Sequence, residues 1–283
     1  MKHLPSSFRR HLAAVRAVLV LTVVTGVVYS LAVTGVAQAL FRHQANGSLI
    51  ERNGRVVGSS LIGQSFTDSS GAPIPRYFQS RPAAPGHAYD TMATGASNLG
   101  PEDVVDTLPA PGRNGRRSLL TQVCARSLAV GRLEGVSGAR PFCTPGGVGA
   151  VLRVFPAAGA ATRAVSVNQA CPATPFVPLY QGVRVECARP GEDYSAGRTV
   201  PVRGAVTRVA APPDAVTAGA SGLDPHISEA YAVLQAPRVA RTRGIDVETV
   251  LDLVRRHTVH PWLGYVGRPV VNVLELNLAL DGE

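Results

Sequence analysis

The residues best able to do chemistry are Asp224, His226, His257 and His260, with a serine such as Ser97 or Ser221. Together they could form an acyl-transfer triad, in which a carboxylate orients an imidazole that takes the serine proton. Their setting argues against it. Asp224 and His226 flank Pro225 where a helix is expected to open, and there the carboxylate is better used capping amides. No Gly-x-Ser-x-Gly elbow presents either serine. No catalytic residue is therefore assigned, and an exported hydrolase is the alternative from a different class. Lysine chemistry is excluded more sharply, because Lys2 is the only lysine. A P-loop needs a lysine against the phosphates, a kinase-type site another, and a Schiff-base enzyme a third.

Four cysteines, Cys124, Cys143, Cys171 and Cys187, are the other reactive set. An even number in an exported segment points to two disulfides. Zinc is the competing use, but no Cys-x-x-Cys pair occurs and no histidine falls between His87 and His226. Of the three pairings, Cys124 with Cys143 and Cys171 with Cys187 closes the shortest loops; sequence leaves the connectivity open.

Export is argued from the element that positions everything else. Ala17 to Phe41 is a run of 25 uncharged residues. At about 1.5 Å of rise per residue it crosses a hydrocarbon core of about 30 Å. Ahead of it stand Lys2, Arg9, Arg10 and Arg16, with no acidic residue before Glu51. The positive-inside rule puts residues 1–16 in the cytoplasm and everything after Arg42 outside. Of the net charge of +9, +4 belongs to those sixteen residues, so much of the basicity is topology and not a nucleic-acid footprint. Ala37-Gln-Ala39 has the small-x-small pattern of a signal-peptidase site, but the run exceeds the roughly 7–15 residues of a signal h-region, so a retained anchor is expected. Within it Thr22, Gly26, Ser30 and Thr34 recur every fourth residue, a stripe on which another helix could pack closely; such residues are also common in spanning helices generally.

Beyond the membrane, Ser48-Leu-Ile-Glu51 and Val56-Val-Gly58 flank Asn53-Gly54 as a β-hairpin. A helix is expected near Ser118 to Leu133, another from Asp224-Pro225 to Arg243-Gly244, and a third over Val247 to His257 capped by Asp246. Val270 to Leu280 alternates in its middle and reads as a half-buried strand. Val165-Ser-Val-Asn168 and Gly182-Val-Arg-Val-Glu-Cys187 make the block between about 135 and 203 β-rich. Asn46-Gly47-Ser48 fits a glycosylation sequon but reads more simply as a turn.

Six ordered motifs carry a family resemblance: Gln44-Ala-Asn-Gly-Ser-Leu-Ile50, Gly58-Ser-Ser-Leu-Ile-Gly-Gln-Ser-Phe66, Tyr77-Phe-Gln-Ser-Arg-Pro82, Ala96-Ser-Asn-Leu-Gly-Pro101, Ser221-Gly-Leu-Asp-Pro-His-Ile-Ser228 and Val271-Asn-Val-Leu-Glu-Leu-Asn-Leu-Ala-Leu-Asp281. In order and in placement after one N-terminal span, the chain resembles the C subunit of Kdp-type potassium-transporting ATPases over residues 12–120 and 205–283. The positions that carry the likeness are Gln44, Asn46, Gly47, Ser48, Tyr77, Phe78, Arg81, Pro82, Ser97, Asn98, Gly100, Pro101, Ser221, Gly222, Asp224, Pro225, His226, Asn272 and Asn277. The intervening block resembles insertions in some actinobacterial members.

The resemblance implies a non-catalytic accessory subunit in a membrane complex with a potassium-channel-like subunit and a P-type ATPase subunit. It would stabilise their assembly and raise the pump's ATP affinity, and ATP is implied only through that pump subunit. A phosphorylation run Asp-Lys-Thr-Gly is absent here, and Gly264-Tyr-Val-Gly267, superficially like a potassium filter, reads as an ordinary turn. No metal is expected, and membrane lipid but no nucleic acid is expected among the partners.

The expected architecture is α+β. A cytoplasmic N-terminus (1–16) and a transmembrane helix (17–41) lead into an extracytoplasmic mixed α/β domain. That domain is split into 42–134 and 204–283 by a β-rich, disulfide-bearing insertion at 135–203. A stand-alone envelope binding protein is the third class of function.

Overall fold

A computed structural model describes residues 5–84, 89–157, 160–261 and 263–282. Lys2 and His87, used above, lie outside them. The chain divides into two compact units, residues 1–61 and 62–283.

The first unit is led by a continuous apolar helix, Ser6–Leu40, whose most apolar 18-residue stretch has a mean hydropathy of 2.2 and no buried part. It comprises α1 (Ser6–Val23), a π-helical turn (Val24–Val28) and α2 (Tyr29–Leu40). The hydroxyls of Thr25 and Thr34 donate back to the Leu21 and Ser30 carbonyls at 2.7 and 2.8 Å. Such back-bonding satisfies a polar group where no water is at hand. Thr22, Gly26, Ser30 and Thr34 are all exposed.

After a short α3 (Arg42–Ala45), the chain turns through Gly47 and Ser48, both at positive φ, into β1 (Leu49–Arg52) and β2 (Arg55–Ser59). Asn53 and Gly54 have φ of 52° and 72°. Positive φ at both central residues is what a type I′ hairpin turn requires, so the Asn-Gly signal was sufficient here.

The second unit opens with loops up to α4 (Leu119–Glu134), capped by Ser118. The chain then builds a five-stranded sheet from β3 (Val151–Ala157), β4 (Ala160–Ala170), β5 (Leu179–Tyr180), β6 (Val183–Ala188) and β7 (Arg198–Pro201), in the order β5-β6-β4-β3-β7. Successive residues of a strand face opposite sides. Val151, Val165 and Val167 therefore pack with Val104, Val105, Leu108 and Leu120, while Leu152, Val154 and Ala164 pack with Phe176, Val177 and Val200. The bonds Cys124–Cys143 and Cys171–Cys187 realise the neighbour pairing.

The chain continues through α5 (Pro213–Val216), β8 (His226–Ser228), α6 (Glu229–Arg243), α7 (Val247–Arg256), β9 (Thr258–Val259), β10 (Val270–Asn272) and α8 (Val273–Leu280). The small sheet has the order β8-β10-β9. It shares one core with the helices, formed by Phe78, Ile227, Val239, Val250, Val254, Val271 and Leu276 among others.

Two expectations are corrected. Val270 to Leu280 is a strand for only three residues and then a helix. Asn272 accepts the Glu275 amide as an N-cap, the following Leu, Glu and Ala favour helix, and the buried positions Val273, Leu274, Leu276, Asn277 and Leu280 fall at helical spacing. The helix expected from Asp224-Pro225 opens later, at Glu229, with Ser228 as its cap. Residues 226–228 are held extended against β10, and that pairing takes precedence over the Asp-Pro signal.

Candidate functional site

The motif Tyr77-Phe-Gln-Ser-Arg-Pro82 has no regular secondary structure, yet Phe78 is fully buried and Gln79 nearly so. An extended segment inside a core must find partners for its amides and carbonyls. Side chains from two helices supply them. Asn277 of α8 accepts the Phe78 N–H at 2.8 Å and donates to the Phe78 carbonyl at 3.0 Å. Gln235 of α6 does the same one residue on, accepting the Gln79 N–H at 2.6 Å and donating to its carbonyl at 3.1 Å. Each amide thus stands in for the backbone of a neighbouring strand. The Gln79 side chain in turn donates to the carbonyls of Phe66, Ile74 and Tyr77.

Beneath this segment lies an ion pair withdrawn from water: Arg238 of α6 contacts Glu134 of α4 at 3.0 Å, the side chains 3% and 0% exposed. Arg238 also donates to the carbonyls of Pro75 and Tyr77. Burial pushes the Glu134 carboxyl above its ordinary range against the opposing pull of Arg238. At the other end, Asp281 accepts from the Tyr77 hydroxyl at 3.0 Å and from Arg243 at 2.8 Å.

The segment ends in the cluster most like a reactive site. Arg81 pairs with Asp224 at 3.1 Å, and Asp224 also accepts the His226 amide at 3.0 Å and lies 3.2 Å from its ring nitrogen Nδ1. The His226 ring contact, its amide and the Arg81 charge hold the Asp224 carboxyl below the usual carboxylate range. Tyr89 donates to the Arg81 carbonyl at 3.0 Å, and burial pushes its phenol up to about 12. Gly63 is required here, since a Cβ would meet the Tyr89 ring at 2.4 Å and the Asp224 carbonyl at 3.0 Å. A cleft of about 400 Å³ beside the cluster is lined by Arg81, Asp214, Asp224, His226 and Arg268.

The remaining motif residues serve turns. The Ser97 and Ser221 hydroxyls accept the amides of Leu99 and Leu223 at 3.3 and 3.1 Å. Gly100 accepts the Asp103 amide, and Asn98 and Pro101 are exposed. Gly222 sits at φ 72°, Pro225 is buried, and the Pro82 carbonyl accepts the Gly219 amide. Gln44 accepts the Gly47 amide, and Asn46 accepts from Gln38 at 3.0 Å. His257 ends α7 and His260 is exposed. Of the triad imagined from sequence, only Asp224 and His226 are brought into contact by a described bond.

Sequence reasoning missed Gln235, Arg238 and Glu134. The available signal was polar: Gln235 and Arg238 stand on the face of α6 that also carries Ala232, Ala236 and Val239, where an uncompensated polar group would be costly.

The model of the family "K+-transporting ATPase, c chain" matches residues 11–107 and 195–282. The chain is 40% identical to a potassium-transporting ATPase KdpC subunit of Polaromonas naphthalenivorans, over 93% of this chain and 89% of the relative. It is 36% identical to that of Rhodospirillum rubrum, over 92% and 89%. With that of Mycobacterium tuberculosis strain H37Rv it is 35% identical over 96% and 98%. The family match omits 108–194, whereas these pairwise matches extend over nearly the whole chain.

Proposed function

This chain belongs to the KdpC family, the c chain of the K+-transporting ATPase, and from that premise we propose a non-catalytic accessory subunit of ATP-driven potassium import. In this reading it stabilises the union of a channel-like potassium subunit with a P-type pump subunit and raises the pump's affinity for ATP. The observation that carries it is the apolar helix Ser6–Leu40, whose most apolar stretch has no burial within the chain and which therefore looks to lipid and other helices for cover.

The folded unit lies outside the cell in this proposal. The cations ahead of the helix and the two disulfides support that orientation. ATP contact by the folded unit itself is not part of it. The cleft at Arg81 sets Asp214 and Asp224 beside Arg81 and Arg268, and a second cleft of about 490 Å³ sets Asp106, Glu192 and Asp193 beside Arg113, Arg153 and Arg189. Carboxylates and arginines balance in both clefts, so neither presents the net positive lining that would support polyphosphate binding. Influence on ATP affinity is assigned instead to a conformational coupling through packed membrane helices.

Two measurements test the proposal. Detergent purification of the tagged chain should recover stoichiometric channel-like and pump subunits; a monomer without membrane partners would remove it. A topology reporter fused after Asp281 should be active only outside the cytoplasm, and activity restricted to the interior would reverse the orientation.

A further inference from the structure

The connection between β9 and β10 is a hairpin whose roots are fixed, Val259 pairing with Val270. Its tip is turned by Leu263, Gly264 and Gly267, all at positive φ. On this rooted loop the large side chains point away from the domain: Val259 is 60% exposed, Leu263 61%, Tyr265 77% and Val266 51%. Single exposed apolar residues are ordinary, but three on one loop with a fourth, Val259, at its root form a patch that marks an interaction surface. The neighbouring charge has one sign. Between Asp252 and Glu275 no carboxylate occurs, and the basic residues are Arg255, Arg256, His257, His260 and Arg268. Arg255 pairs with Asp252, and Arg268 reaches the rim of the Arg81 cleft.

The loop itself carries no carboxylate, although Asp214 and Asp224 line the cleft whose rim Arg268 reaches, and an aromatic residue among aliphatic ones with a flanking arginine is the composition of a membrane-water interface. Tyrosine and tryptophan sit at headgroup depth there and arginine meets lipid phosphate. We propose that the 260–269 loop is a second, peripheral membrane contact, with Leu263, Tyr265 and Val266 entering the headgroup region of an anionic bilayer and Arg268 lying against its phosphates. The contact rests on the membrane-anchored reading above. It fixes the domain to the lipid surface at a point far along the chain from the spanning helix, and this limits the orientations the domain adopts when partner subunits dock.

Trp262 is the chain's only tryptophan and falls within this loop, so it serves as an intrinsic reporter. The full chain is reconstituted into liposomes of phosphatidylglycerol and phosphatidylcholine, recovered by flotation, and its emission is titrated with acrylamide and with lipids brominated at graded depth. An interfacial segment sits about 5–10 Å into the headgroup and acyl boundary. Bromine at that depth should therefore quench Trp262, while acrylamide quenches it less than in the urea-unfolded chain. The Leu263→Ser/Tyr265→Ser double variant should still float but lose the bromolipid quenching. A wild-type chain that floats yet escapes every brominated lipid overturns the lipid contact while leaving the anchor intact. A chain that does not float overturns both. Shielding from acrylamide that appears only with partner subunits, or only at high protein-to-lipid ratio, would assign the loop to a protein partner or to a second copy and likewise overturn it.

Discussion

Asn277→Leu isolates the pairing that holds the Tyr77–Pro82 segment. The substitution keeps the heavy-atom count and the branching but enlarges the side chain, so it opens no cavity, and any overpacking adds to the loss. It leaves the Phe78 N–H and carbonyl without the partners they now meet at 2.8 and 3.0 Å, and both Phe78 and Asn277 are buried, at 0% and 1% exposure. Each orphaned buried group costs about 1–3 kcal/mol. The pair therefore costs about 2–6 kcal/mol, offset by up to about 2 kcal/mol from the added apolar burial. A net loss of about 0–6 kcal/mol, centred near 3, follows, or about 2–4 °C of melting temperature per kcal/mol for a unit of this size. Urea and thermal unfolding of the full chain in detergent, followed by near-ultraviolet circular dichroism, reads it. Asn98→Leu is the control, because Asn98 is exposed and should change stability by no more than about 0.5 kcal/mol. If Asn277→Leu matched that control, the segment would not depend on side-chain amides and the reasoning would fail. Asn277→Asp adds a second check: it keeps an acceptor for Phe78 N–H but loses the donor to the carbonyl, so it should regain stability as acid protonates it.

Three further outcomes follow from other contacts. Cys171→Ser/Cys187→Ser removes a crosslink between residues 16 apart and should lower stability by about 3 kcal/mol on the loop-entropy estimate, read from the urea midpoint; an unchanged midpoint would mean the bond does not constrain the unfolded chain. Gly131→Ala gains about 1 kcal/mol of helix propensity, but its Cβ would lie 2.5 Å from the Gly138 nitrogen and 2.8 Å from the Val136 carbonyl oxygen. Overpacking of about 1–3 kcal/mol against backbone should make it destabilising, and a rise in melting temperature would refute the close approach. Asp224 has a lowered carboxyl pKa in the folded state, so its contribution is complete above the unfolded value of about 3.9 and is lost as pH falls through the lower folded value. The stability difference between the wild type and Asp224→Asn should be flat above about pH 5 and shrink below about pH 4; a difference that persisted in acid would count against the ionised contact.

The parts of the fold legible in sequence are those decided by local chemistry. Asn53-Gly54 specified its turn, Ser118 and Asp246 capped their helices, and Gly244 ended α6 in the left-handed region, because each signal acts within a few residues. The parts that were not legible depend on distant partners. Asp224-Pro225 resembled a helix start until β10 drew residues 226–228 into a sheet. The alternation from Val270 to Leu280 concealed a helix whose buried positions are set by the core around Phe78 and not by a sheet face. Within the site, the motif residues were visible, but Gln235 and Arg238 were not. An amide that pairs with a backbone 156 positions away leaves no local pattern.

The segment from Phe142 to Arg203 joins the rest of its unit where its two ends already touch. The Phe142 amide donates to the Arg203 carbonyl at 3.0 Å, and the Val202 amide donates to Ala150 at 2.8 Å. Sixty residues therefore leave and return through a gap one peptide wide, like a cassette plugged into a socket, and the entropy cost of closing such an excursion grows only slowly with its length. Excision would leave a splice that a short turn could seal. What it would strip bare is the greasy underside of the strap at Val104, Val105 and Leu108, which now packs on the cassette's sheet. A trimmed chain would thus stay connected with ease but become sticky at one spot, and polar replacements at those three positions are the remedy that geometry prescribes.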